Sequence, residues 1–72
     1  MLFRSLFRLR AAHASLIGAD LLRADLEEAD LEGAHLELSD LRRAILRRAI
    51  LRDASLEGAN LSWASADRKS VV

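Results

Sequence analysis

The sequence predicts an all-β coil of square cross-section with a short helical cap at its N-terminal end, and three observations carry that prediction. A leucine recurs at every fifth residue from Leu16 to Leu61, each preceded two positions earlier by alanine or, once, by Ser39. Side chains twenty residues apart pair opposite charges, as in Glu27 with Arg47 and Glu28 with Arg48. The segment before the repeats, Met1 to Arg10, carries arginines and no acid among its apolar residues.

The coil follows from the period. Ala, Leu, Arg and Glu dominate and all favour helix. At about 100° per residue, however, five residues advance a helix by about 140° net, so successive leucines would wander around its surface and leave no stripe to bury. In a straight strand the Ala and Leu two positions apart share a face, but an odd repeat inverts that face at the next unit. Both patterns are satisfied if the chain turns one corner per unit. Four corners close a square, so the chain returns above itself after twenty residues.

The register of small, polar, Leu and two variable residues is clearest in Ala24-Asp25-Leu26-Glu27-Glu28, Ala29-Asp30-Leu31-Glu32-Gly33 and Ala59-Asn60-Leu61-Ser62-Trp63. It resembles the pentapeptide-repeat family. The resemblance implies a right-handed quadrilateral β-helix; the repeats place it over residues 14–66, about two and a half coils, and the flanking segments read as an amphipathic N-terminal helix and cap over 1–13 and a tail over 67–72. Ser39 departs from the family at a small position, where a hydroxyl should cost little. Ile45 and Ile50 stand where the family prefers Asp or Asn and should face solvent.

The twenty-residue lag makes the charges informative. Asp20 to Asp40 holds eight carboxylates and only Arg23 as a base, whereas Arg42 to Arg52 holds five arginines and no acid. Stacked in coils, these blocks become complementary layers: Glu27 over Arg47 over Asp67, Glu28 over Arg48, Glu32 over Arg52. Arg23 over Arg43 over Trp63 offers a cation–π contact. Glu37 over Glu57 and Asp20 over Asp40 are unfavourable stacks. Exposed pairs are worth only about 0.2–1 kcal/mol each, so they set register more than stability.

The N-terminal segment reads as a helix because Leu2, Phe3, Leu6, Phe7 and Leu9 share one side while Arg4, Ser5 and Arg8 lie opposite. Solenoids need atypical closing units, which favours a cap. A membrane-surface anchor and a targeting segment are the alternatives. No apolar run reaches the roughly 20 residues of a transmembrane helix.

The chain offers little to chemistry. Eleven Lys plus Arg balance eleven Asp plus Glu, so no net field recruits nucleic acid or an anionic membrane. With no cysteine the chain suits a reducing compartment and is expected to be cytoplasmic. His13 and His35 lack the clustered partners that a metal or a catalytic imidazole requires. Asp20, Asp25 and Asp30 recur with the repeat in equivalent settings, unlike an acid and base pair. Gly18, Gly33 and Gly58 share the fifth position, where a corner demands positive φ.

The expected function is therefore a non-catalytic protein-interaction or structural module, with no cofactor, metal or small-molecule substrate. So short a stack exposes much of its core at its ends, which predicts a homo-oligomer or a protein partner. Family members commonly dimerise through the C-terminal end, so the resemblance points the same way. Two alternatives are a DNA-mimicking topoisomerase-binding protein, as some relatives are, and a membrane-associated scaffold held by the N-terminal helix. The candidate protein-binding patch is Ile45 and Ile50 with Trp63 as anchor.

Overall fold

The computed structural model describes residues 5–66, and throughout them the chain turns a corner every five residues. Each unit contributes one residue that pairs in parallel with the residue twenty positions on. Four faces result. The first stacks Ser5, Asp25, Ile45 and Ser65; the second Arg10, Asp30 and Ile50; the third Ser15, His35 and Ser55; the fourth Asp20, Asp40 and Asn60. The β-helix expected from the period is thus present.

Every corner is built alike. The amide of the small residue donates to the carbonyl of the leucine three positions before it, as in Ala29 N to Leu26 O at 3.0 Å. The residue just before the small one has positive φ, between 60° and 63° at Arg8, His13, Arg23, Glu28, Leu38, Arg43, Arg48, Asp53 and Trp63 and between 66° and 74° at the three glycines. A 4→1 hydrogen bond with positive φ at the third residue is the signature of a type II turn. The strain of left-handed backbone is tolerated at the non-glycine corners because stacking over-determines the turn.

Coils are joined by a repeating ladder. An upper coil donates downward from the leucine and the positive-φ residue, as in Leu26 N to Ile45 O (2.8 Å) and Glu28 N to Arg47 O (2.9 Å). The lower coil donates upward from its face residue, as in Ile45 N to Ala24 O (2.9 Å). Both polar groups of the flat face are thereby satisfied, which a buried backbone requires.

The core is the axis of the square. Leu26, Leu31, Leu36 and Leu41 have no exposure, and neither do Ala24, Ala29, Ala34, Ala44 and Ala49. Alanine is needed beside each leucine because four inward leucines per layer leave room for little more. Burial fades toward both ends: Leu6, Leu9, Leu16 and Leu56 are half-buried, and Leu61 is 38% exposed.

Two expectations need correction. Residues 5–13 form no helix; they are the first turns of the coil, with Ser5, Arg10 and Ser15 paired to Asp25, Asp30 and His35. Met1 to Arg4, the rest of the expected cap, lie outside the described residues, as does the tail 67–72. The coil therefore contains about three turns, not two and a half. Within the first turn, Leu9 stands at the small position and Ala11 at the leucine position, both half-buried against the core. The two have exchanged places, so the unit's summed volume is kept while its pattern is hidden. No helix among the described residues is long and apolar enough to cross a membrane.

The second correction concerns Ser39. Its side chain is 1% exposed and its hydroxyl has no hydrogen-bond partner, so it is costly, not cheap. Replacing it with alanine restores the repeat and removes an unsatisfied buried group. Ser39→Ala is expected to raise stability by about 1 kcal/mol, read as a higher urea midpoint at unchanged slope.

Ile45 and Ile50 stand on the outer faces and are half-buried there. Each lies flat on a face, Ile45 between Asp25 and Ser65 and Ile50 beneath Asp30.

The glycine corners are not equivalent. A Cβ at Gly18 would meet nothing within 4 Å, whereas one at Gly33 would overlap the imidazole of His13, with Cε1 at 2.6 Å. Alanine at either site costs the left-handed penalty of about 1–2 kcal/mol. Gly33→Ala must also displace His13, so its melting temperature should fall further than that of Gly18→Ala.

Candidate surface for association

The outward residues form columns. Corner by corner, the structure brings together the residues that the twenty-residue lag pairs. Arg47 Nη2 lies 3.8 Å from Glu27 Oε1 and Arg48 Nη1 lies 3.8 Å from Glu28 Oε2. Glu28 also receives Arg8 Nε from above at 2.9 Å, so one carboxylate is held between two guanidiniums of adjacent coils. Arg43 lies over the Trp63 ring, 5.9 Å from its centroid. Glu32 and Arg52 share a column without forming an ion pair, and Asp67 lies outside the described residues.

The stacks expected to be unfavourable are relieved locally. Asp40, beneath Asp20, takes Arg42 Nε at 2.9 Å and Nη2 at 2.8 Å. Glu37 Oε2 stands 3.6 Å from His35 Nδ1. Its carboxyl is held below the usual range chiefly by its own backbone amide, then by His35 and the Ser55 hydroxyl, although Oε1 completes no full hydrogen bond.

The aspartates have a purpose beyond charge that the linear pattern leaves unstated. Asp20, Asp25, Asp30 and Asp40 each accept a hydrogen bond from the amide two residues ahead, at 3.1–3.2 Å, and Asn60 does the same for Ser62 at 3.0 Å. That amide is the first of its corner, so the carboxylate fastens the turn. A short acceptor immediately before each leucine is the signal in the sequence that marks this role. His35 stands at this position without such an acceptor, and its imidazole instead faces the Glu37 carboxylate.

The Asp40 carboxyl is held well below its ordinary range. The side-chain hydrogen bond from Arg42, followed by that from the Arg42 amide, lowers its pKa from 3.8 to about 2. A depressed acid stabilises the fold above its unfolded value and loses that contribution as pH falls through the folded one. The window is therefore between 3.8 and about 2. Carboxyl NMR should titrate Asp40 near 2, and Arg42→Ala should move it toward 3.8 without reaching it, because the amide remains.

The candidate patch is not a single surface. Ile45 and Ile50 occupy adjacent faces with the Arg47 and Arg48 corner between them, and Trp63, 80% exposed, sits at the opposite edge of the first face. The most exposed apolar residues besides Trp63 are Leu38 at 69% and Ile17 at 57%, both at the corner between the third and fourth faces. His13 and His35 are exposed, and the described residues contain no grouping of His, Asp and Glu suited to a metal.

Uniform coils, a leucine axis and corner-fastening aspartates define a repeat solenoid of the kind that generally serves as a structural or binding module. The chain belongs to the pentapeptide repeat family: the model of pentapeptide repeats matches residues 5–43 and 34–67, in eight copies. It is similar to the crystal structure of the pentapeptide repeat protein Rfr23 from the cyanobacterium Cyanothece 51142, at 34% identity and a TM-score of 0.91. That match covers 93% of this chain and 46% of the other, so the chain spans about half of Rfr23. It is also similar to alr5209, a pentapeptide repeat protein from Nostoc Pcc 7120, at 31% identity and a TM-score of 0.65, over 96% of this chain and 74% of that one. No curated protein matches the chain.

Proposed function

We propose that the chain is a non-catalytic module that self-associates through the ends of its coil. The gradient of burial carries this reading: Leu36 is fully enclosed, whereas Leu61, the same residue type at the same inward position, is 38% exposed at the lower end. The described ends also present backbone groups that the interior always pairs. Leu56 and Leu61 have no counterpart, among the described residues, to the downward bonds that Leu36 and Leu41 make. Open edges of this kind are templates for another chain. Light scattering across a dilution series tests the proposal. Assemblies that dissociate with loss of structure support it, and a stable folded monomer at low micromolar concentration ends it.

A lateral contact for a protein partner has support of its own from Trp63, which is 80% exposed and whose indole already stacks with Arg43. Ile45→Asp with Ile50→Asp, and separately Trp63→Ala, should reduce capture of that partner without changing the coil's circular dichroism. The other two readings have less behind them. Arg8, Arg47 and Arg48 interrupt the acids that a DNA mimic would need, and residues 5–13 are spent on the coil instead of an anchoring helix.

A further inference from the structure

Resting on the lateral contact at Trp63, we infer that its occupant is a second copy of this chain, held side by side in a closed dimer that is separate from any contact at the coil ends. Two columns of like charge carry the inference, because they are opposite in sign and neither is fully neutralised within the chain. At the corner between the fourth and first faces, Arg23 lies over Arg43 and Arg43 over Trp63. At the corner between the third and fourth faces, Glu37 lies over Glu57. Among the described residues Arg23 and Arg43 meet no carboxylate and Glu57 has no ion pair. Glu37 has no cation beside it except His35, at 3.6 Å, and its Oε1 has no partner.

The exposed apolar side chains stand at the same two corners. Trp63, Leu38 and Ile17 are the three most exposed large apolar residues among those described. Backbone strain marks the corners as well. Arg23, Arg43 and Trp63 hold φ between 60° and 63°, and Leu38 holds 61° in a column whose other members are Gly18 and Gly58. Glycine would make each of these turns without strain, so the side chains placed there serve something beyond the turn. At the corner between the first and second faces that use is internal, since Glu28 is held between Arg8 and Arg48. The Arg23, Arg43 and Trp63 column has no such answer inside the chain.

Both corners border the fourth face, and this selects the symmetry. Leu38 and Arg43 flank Asp40, and Gly58 and Trp63 flank Asn60. A two-fold axis parallel to the coil axis, with the two fourth faces together, sets the acidic corner of each copy against the basic corner of the other at unchanged height. Arg43 then stands beside the second copy's Glu37 and Glu57. Trp63 comes level with the second copy's Gly58, the seat over which Leu38 leans, its Cδ2 2.7 Å from where a Cβ would be. A two-fold axis across the coil would instead set Glu37 and Glu57 against their own images. Side-by-side translation would set Arg47 and Arg48 against Arg52, and Glu28 against Glu32. In the parallel arrangement Asp40 faces its own image, but Arg42 already holds it at 2.9 and 2.8 Å, and Asp20 is turned onto the Leu22 amide at 3.2 Å. Such an isologous contact closes at two copies, and complementary charge fixes its orientation.

Charge reversal at each corner tests the dimer, with sedimentation equilibrium reading mass and circular dichroism checking that each variant keeps the coil. Glu37→Arg with Glu57→Arg makes both corners basic, and Arg23→Glu with Arg43→Glu makes both acidic. Each variant alone should lose the dimer, its Kd rising at least about tenfold, because like charges then meet at both contacts. An equimolar mixture of the two should regain it, since every contact again pairs opposite signs. Leu38→Ala and Trp63→Ala change no charge, yet each should weaken the wild-type dimer and the mixed one. That result separates this contact from simple attraction between chains of opposite net charge. Wild-type mass in both reversed variants, or a mixture of folded variants that stays unassociated, overturns the proposal and leaves contact at the coil ends standing. A mixed dimer indifferent to Leu38→Ala and Trp63→Ala overturns it as well. If Trp63→Ala still reduces capture of another protein in either case, the lateral contact survives with a different occupant.

Discussion

Leu31→Ala is expected to destabilise the protein by about 2–5 kcal/mol, the cost of removing a buried leucine and leaving its cavity. Leu31 is fully buried in the middle coil, with the same inward position occupied above by Ala11 and below by Leu51. The surrounding backbone is pinned by ladder bonds on both sides, Leu31 N to Ile50 O at 2.8 Å and Asp30 N to Leu9 O at 2.7 Å, so collapse into the void is resisted. Leu61→Ala removes the same atoms from a site that is 38% exposed and should cost about 1 kcal/mol. The two variants are best compared by urea unfolding at one fixed protein concentration, since association contributes to apparent stability. Equal losses at the two sites would mean that the ends are as well packed as the middle.

Ala29→Leu should destabilise by about 1–3 kcal/mol, because the small position in an interior layer has no space for three more carbons. Ala29 has no exposure and lies beneath Leu9 and above Ala49 in its column. The first coil suggests how the damage is offset. There Leu9 and Ala11 stand in the reverse order of Ala29 and Leu31, with the ladder intact at Asp30 N to Leu9 O. Ala29→Leu combined with Leu31→Ala should therefore cost less than the sum of the two single changes, by an amount that a double-mutant cycle reads directly. Additive losses would show that the exchange is tolerated only in an end layer.

Much of this architecture is legible in the sequence, and the reasons are specific. A five-residue period is incompatible with a straight helix or strand, so the spacing of the leucines alone requires the corners. The lag of twenty then places Glu27 on Arg47, Glu28 on Arg48 and Arg43 on Trp63, and the folded chain pairs them so. The first coil is hidden because Leu9 and Ala11 exchange roles, which leaves Leu6, Phe7 and Leu9 spaced like a helical stripe. Propensity and periodicity conflict there, and the stacking of Arg10 on Asp30 and Ser15 on His35 decides the outcome. Ser39 misleads because a small polar residue fits by volume, while its hydroxyl needs a partner that the axis does not supply. The candidate patch is the least legible part, since adjacency around a coil depends on corners that a linear sequence does not separate.

The coil counts in two periods at once, five for its interior and twenty for its exterior, and this sets the arithmetic of insertion. Twenty added residues between coils would leave every column intact. Five added residues would satisfy the axis equally well, with alanine and leucine still pointing inward, yet would turn everything downstream by one face. After such an insertion behind Gly33, Arg47 and Arg48 would leave Glu27 and Glu28, and Arg43 would keep Trp63, because only pairs spanning the insertion are broken. The core is thus indifferent to a change that rewrites the surface, so a lineage of such chains can re-sort its exterior columns by whole units without first redesigning what holds it together.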